Sequence, residues 1–147
     1  LKAVVQRVSS ASVSVAQEVL GQIGPGLLVL LGIGTEDSET DLNWMVDKIL
    51  HLRCFEDEEG KMNLSLLDAE KEVLCVSQFT LYGDCRRGRR PSFGKAAAAP
   101  QALLFCQKFV DKMREKGVEI KFGRFGAKMT VALKNEGPVT LILDSRT

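Results

Sequence analysis

The segment that most restricts this chain is the continuous apolar run over residues 27–33, set between Gly24-Pro25-Gly26 and Gly34. A run of this length fits a strand covered on both faces. It falls far short of the ~20 apolar residues that a membrane-crossing helix needs. It therefore predicts a buried central strand, and the rest of the pattern can be placed around it. Residues 2–8 and 12–17 alternate apolar and polar side chains, as half-buried strands do. Gly21, Gly24, Pro25 and Gly26 then mark turns. Asp37 is a fair cap for a helix over 38–53, on which Leu42, Met45, Val46, Ile49 and Leu50 recur at helical spacing. A second buried strand is predicted over 72–78. Pro100 opens a second helix that runs to Lys116 and is closed by Gly117, with Leu103, Leu104, Val110 and Met113 in its buried stripe. Strands over 118–122, 127–134 and 139–143 complete the order ββ(βα)(βα)βββ. With 147 residues and no linker, the chain reads as one α/β domain over 1–147 that can bury a core without staples.

Composition removes several function classes. Hydrophobic residues at 45%, charged residues at 27% and a net charge of +1 fit a globular protein and argue against disorder or a fibrous repeat. No signal-peptide pattern is evident, so a cytoplasmic protein without a membrane segment is expected. Cys54, Cys75, Cys85 and Cys106 form no Cys-x-x-Cys pair, and His51 is the lone histidine. A Cys/His zinc site would need three cysteines gathered from distant segments. Reduced cysteines and no metal are therefore expected. A serine or cysteine triad would have to use His51, and no nucleophile elbow accompanies it. Gly32-Ile33-Gly34 lacks the third glycine of a dinucleotide loop and has Asp37 in its place, which would repel a pyrophosphate; no cofactor is expected. The acids over 56–61 lack the spacing of a calcium loop and read as a solvated turn.

Charge is unevenly distributed. Residues 1–85 hold six Lys/Arg and 14 Asp/Glu, whereas residues 86–147 hold 14 and five. A basic C-terminal half suits an anionic partner, nucleic acid first, or else pairs with the acidic half in the fold. Within it, Arg86, Arg87, Arg89 and Arg90 place four guanidinium groups in five residues around Gly88. Such forks suit phosphate oxygens. Ser77, Gln78, Phe79 and Thr80 stand where a buried strand ends, a place from which polar groups can reach a ligand. Asn135-Glu136-Gly137-Pro138-Val139-Thr140 joins two predicted strands and reads as a hairpin loop on spacing alone.

Taken in order, these segments resemble one family. Lys2-Ala3-Val4-Val5-Gln6-Arg7-Val8, Ser77-Gln78-Phe79-Thr80-Leu81, Gly88-Arg89-Arg90-Pro91-Ser92-Phe93, Phe125-Gly126-Ala127 with Met129, and Asn135-x-Gly137-Pro138-Val139-Thr140 look like D-aminoacyl-tRNA deacylase, over essentially the whole chain. The resemblance implies a three-layer β/β/α domain of barrel-like mixed sheets with two helices. It also implies a homodimer with active sites at the subunit interface, in which a cis Gly137–Pro138 peptide of one subunit enters the pocket of the other. Ser77, Gln78, Phe79 and Thr80 match its catalytic segment. Arg7 matches the arginine that orients the Gly-Pro peptide, and Ala102, Phe125 and Met129 match the pocket for the terminal adenosine. The implied reaction is ester hydrolysis of D-aminoacyl-tRNA, proofreading chirality. The mostly backbone and small-group character of the segments facing the substrate extends this to glycyl-tRNA. The other readings are a non-catalytic RNA-binding module and an editing deacylase for L-threonyl-tRNA.

Overall fold

A computed structural model describes residues 1–146. Strand β1 (Lys2–Val15) is its longest early element, followed by β2 (Glu18–Ile23), β3 (Gly26–Gly32) and helix α1 (Glu39–His51). A small hairpin of β4 (Phe55–Glu56) and β5 (Met62–Leu64), a short helix α2 (Leu66–Ala69) and β6 (Glu72–Ser77) come next. A 3-10 turn over Phe79–Tyr82, helix α3 (Ala99–Glu115), β7 (Ile120–Phe122) and β8 (Thr130–Asp144) complete the chain. The main sheet runs β2-β1-β3-β6-β7, with β8 paired to β1. The β3–β6 and β6–β7 pairs are parallel and the others antiparallel.

β1 is the spine. Its residues 2–8 pair with β3 and its residues 11–15 with β2, while β8 runs along nearly its full length. The sheet curls until β2 meets β7, where the ammonium of Lys121 donates to the carbonyl of Gln22 at 2.7 Å. The result is a nearly closed barrel with helices on one side, the mixed β/β/α class expected from the sequence.

The apolar run explains the layers. Leu27, Val29 and Leu31 of β3, with Val73 and Cys75 of β6, pack under Leu42, Met45 and Ile49 of α1 and Phe109 and Met113 of α3. The alternate residues Leu28, Leu74 and Val76 turn into the barrel beside Val8, Val13 and Ile23. Both faces are covered, so neither strand needs polar positions. Cys54, Cys75 and Cys106 are buried free thiols, whereas Cys85 is exposed.

Several sequence expectations are corrected. Residues 2–8 and 12–17 are not two strands: β1 carries straight through, because bulges near Val8 absorb the break in alternation at Ser9-Ser10. Gly21 lies within β2, where its hydrogen leaves room for Lys121 Cβ, which would stand 3.3 Å from an added Cβ. Residues 127–134 and 139–143 are not separate strands either, since β8 spans both. Ser38 rather than Asp37 caps α1, its N–H donating to Asp41 Oδ2 at 2.9 Å. Asp37 is drawn away by the Gly34 N–H at 2.6 Å and the backbone nitrogen of Leu1 at 2.5 Å. On α3 the buried stripe is Ala102, Phe105, Cys106, Phe109, Val110 and Met113; Leu103 and Leu104 face outward. The β4–β5 hairpin and the third helix, α2, carry too few residues for periodicity to reveal.

The parallel β3–β6 contact is unusually close at Gly26, where an added Cβ would stand 2.0 Å from the carbonyl oxygen of Glu72. Gly26→Ala should therefore cost about 3 kcal/mol or more of stability, through backbone displacement in a packed sheet. Gly24→Ala, whose Cβ would meet nothing nearer than 3.6 Å, is the matched control. Urea unfolding should give a much lower midpoint for the first variant only; equal midpoints would refute the argument.

Candidate active site

β6 delivers its last residue, Ser77, to the rim of the sheet, where the N–H of Gln78 still donates to Leu31 O at 2.8 Å. The chain then tightens into the 3-10 turn. Leu81 and Gly83 N–H groups are taken by the carbonyls of Gln78 and Thr80. The N–H groups of Phe79 and Thr80 open that turn and have no acceptor within it. Gln78 Nε2 donates to Thr80 Oγ1 at 2.5 Å, which holds the two polar side chains together.

Ser77, Gln78 and Phe79 form one wall of a pocket of about 420 Å³. Ala102 and Cys106 of α3 form another, and Phe125, Ala127 and Met129 supply the third, from the turn before β8. Burial pushes the Cys106 thiol up to about 12, so it lines the pocket as an apolar group. Apolar walls with a polar edge suit a small organic group that hydrogen bonds fix at one end. Ala97 and Ala99 also reach this space. Thr80 joins through Gln78 and does not itself line the pocket.

Gly137 and Pro138 lie elsewhere on the chain. Gln6 pairs with Thr140 and Val8 with Asn135, so Arg7 alone stands opposite the four residues 136–139. Those four bulge out of the ladder; they are not a hairpin loop, because the flanks on both sides pair with β1. Asn135 closes the neck: its Oδ1 accepts the Val139 N–H at 3.1 Å and its Nδ2 donates to Thr140 Oγ1 at 2.9 Å. The Gly137–Pro138 peptide is cis. Arg7 is only 6% exposed. Its Nε donates to Glu136 O at 3.1 Å and its NH1 donates to Cys54 O at 2.9 Å, which braces the bulge from beneath. A side chain on Gly137 would meet that guanidinium at 2.6 Å, and its φ of +121° disfavours one as well. Sequence reading missed Cys54 and Glu136 here, because both act through backbone carbonyls that any residue carries.

The arginine loop is pinned at its base, where Asp84 and Ser92 exchange backbone hydrogen bonds of 2.8 and 3.0 Å. Gly88 turns its tip with φ of +67°. Arg86 is not free: it forks onto Asp84 at 2.9 and 2.6 Å, and that guanidinium holds the carboxyl well below the usual carboxylate range. Arg87, Arg89 and Arg90 are exposed and make no ion pair among the described residues. His51 sits on the exposed end of α1, its Nδ1 2.9 Å from Asp47 O, and does not line the pocket. Among the described residues no cluster of metal-ligating side chains occurs, and no helix is long and apolar enough to cross a membrane.

Known proteins are similar to the chain over its whole length. A D-aminoacyl-tRNA deacylase of Desulfitobacterium hafniense (strain DSM 10664 / DCB-2) is 59% identical over 145 residues, covering 99% of this chain and 97% of that one. A protein of the same name from Thermosipho melanesiensis is 55% identical over 147 residues, covering 99% and 98%. A solved structure named c-Myc DNA Unwinding Element Binding Protein superposes with a TM-score of 0.94 at 47% identity, over 100% of both chains. That of a probable eukaryotic D-amino acid tRNA deacylase gives 0.83 at 21% identity over 97% of both, a likeness of fold. The pattern of the D-Tyr-tRNA(Tyr) deacylases matches residues 4–144, and with relatives more than half identical end to end, the chain belongs to the D-aminoacyl-tRNA deacylase family.

Proposed function

We propose that the protein hydrolyses the ester between a D-amino acid and the 3′ end of tRNA, and that it does the same to glycyl-tRNA. The observation that carries the reading is the pocket built by Ser77, Gln78, Phe79, Ala102, Phe125 and Met129, which come from three separate segments. In this reading the terminal adenosine occupies the pocket and the ester lies against the Phe79–Thr80 turn. Water attacks the carbonyl carbon, assisted by the vicinal 2′-hydroxyl of the substrate. The N–H groups of Phe79 and Thr80 stabilise the developing oxyanion. The ester C–O bond then breaks, the ribose oxygen takes a proton, and the free D-amino acid leaves. An aminoacyl ester is activated enough to need no histidine base.

The protein acts as a homodimer in the cytoplasm, where charged tRNA is made and used. Gly137 and Pro138 do not line the pocket of their own chain, while their bulge projects from β8 with Arg7 behind it. A second copy that inserts this bulge beside Ser77–Thr80 completes the site. The competing reading, a nucleic-acid-binding module without catalysis, draws on the same free arginines and on the DNA-binding name of one relative. Retention of charged tRNA without loss of its amino acid would favour that module.

Three outcomes are expected. Replacing Arg87, Arg89 and Arg90 by Ala should flatten the dependence of log Kd for tRNA on log salt by roughly two units, since each lost phosphate contact contributes about 0.7–0.9. Arg86→Ala should change the slope much less, because Asp84 already occupies its fork. An unchanged slope in the triple variant would make the loop a solvated surface.

Thr80→Ala should keep kcat within about tenfold of the parent if water attacks directly. A fall of several orders of magnitude, with KM and folding intact, would identify Thr80 as a nucleophile.

The groups that face the substrate are backbone and small side chains, so chirality is enforced by excluding L side chains rather than by gripping D ones. Glycyl-tRNA, with no side chain to exclude, should be deacylated alongside D-tyrosyl-tRNA, while L-alanyl-tRNA is spared by a factor of about 10²–10³. Parallel deacylation assays read this directly; inertness toward glycyl-tRNA beside rapid D-tyrosyl release would mean that the D side chain is positively recognised.

A further inference from the structure

Phe79 and Phe93 form an aromatic pair at the mouth of the pocket, with ring centroids 5.1 Å apart and planes inclined by 68°. In the single chain both are exposed, at 55% and 38% respectively. Phe79 also lines the pocket, whereas Phe93 follows directly on the arginine loop, one residue beyond the Asp84–Ser92 bridge that pins it. Ala97, four residues further on, is again a pocket wall, and Ala96 N–H donates to Phe93 O at 3.0 Å. The pair is thus fixed between the nucleoside pocket and the unpaired guanidinium groups of Arg87, Arg89 and Arg90. An edge-to-face pair leaves a ring face uncovered.

We propose that this pair is a stacking platform for the nucleobase that immediately precedes the terminal adenosine of the tRNA. The inference rests on the reading of the pocket given above and deepens it by one nucleotide. A single strand whose last nucleoside fills the pocket passes over Phe79 on leaving it. The next base then meets the Phe79–Phe93 rings, and its phosphate faces the loop that carries the free arginines. Alternation of an aromatic surface with a cationic groove is how proteins hold single strands, and it tolerates any base because every base offers a π face. Charge selects this occupant: an apolar peptide would leave the three guanidinium groups beside it unpaired, whereas a polyanion satisfies rings and cations together.

The test is a double-mutant cycle on binding, which does not depend on hydrolysis. Uncharged tRNA and the same tRNA with an abasic residue before its terminal adenosine are titrated against the parent protein, Phe93→Ala, Phe93→Leu and Phe93→Tyr. In the parent, removing that base should weaken binding by about tenfold. Phe93→Ala should weaken the intact tRNA by a similar factor and be indifferent to the abasic change. Phe93→Leu, which keeps apolar bulk without a ring, should behave like the alanine variant, and Phe93→Tyr should restore the parent pattern. Losses that simply multiply, or no loss in Phe93→Ala, would overturn the platform. So would a Phe93→Ala protein whose subunits separate in sedimentation, because the pair would then be a contact between copies. Coupling in the cycle with no release of D-tyrosine from D-tyrosyl-tRNA would instead defeat the catalytic reading and leave the platform standing.

Discussion

The β1–β8 ladder carries the rest of the molecule. Along most of its length the two strands pair residue for residue, and at one point a single residue, Arg7, faces four. An antiparallel ladder can absorb such an excess only by pushing the surplus out of the sheet. The regular pairing on either side fixes where the bulge emerges, and the buried guanidinium fixes how it is aimed, since it holds Glu136 O on one side and Cys54 O on the other. A rigid scaffold thereby presents a short irregular segment at a defined position, which a free loop of the same sequence would not do.

The same strand also sets the pocket. Its other edge carries β3, whose parallel pairing with β6 continues to Leu31 and Ser77 and stops there. Polar residues appear where the sheet runs out, and the helix α3 and the turn before β8 converge on that edge. The bulge and the pocket are distinct places on one chain, each built from elements that β1 anchors.

How much of this was legible in the sequence differs by element. Leu27 to Leu31, the apolar face of α1 and the run into Ser77 were plain, because burial on both faces or on one stripe leaves a periodic trace. The unity of β1 and of β8 was hidden for a physical reason. Ser9-Ser10 and Asn135-Glu136-Gly137-Pro138 are turn-forming residues, and a bulge uses the same chemistry as a turn, so only the pairing of both flanks with β1 distinguishes them. On α3 the outward Leu103 and Leu104 are apolar residues flanked by the truly buried Ala102 and Phe105, a shift that periodicity alone does not resolve. At the candidate site, the side chains that line the pocket or brace the bulge, Ser77, Gln78, Phe79, Phe125, Met129 and Arg7, stand in motifs that the sequence displays. The carbonyls of Cys54 and Glu136, and the pairing of Arg86 with Asp84 outside the basic cluster, depend on tertiary approach.

The distribution of thiols has a practical consequence. Cys54, Cys75 and Cys106 are shut in the core, and desolvation raises the pKa of each, so none is readily a thiolate. Cys85 is exposed at the foot of the arginine arm. A maleimide dye added to the native protein would therefore couple at one known position beside the guanidinium tip, with no cysteine removed beforehand.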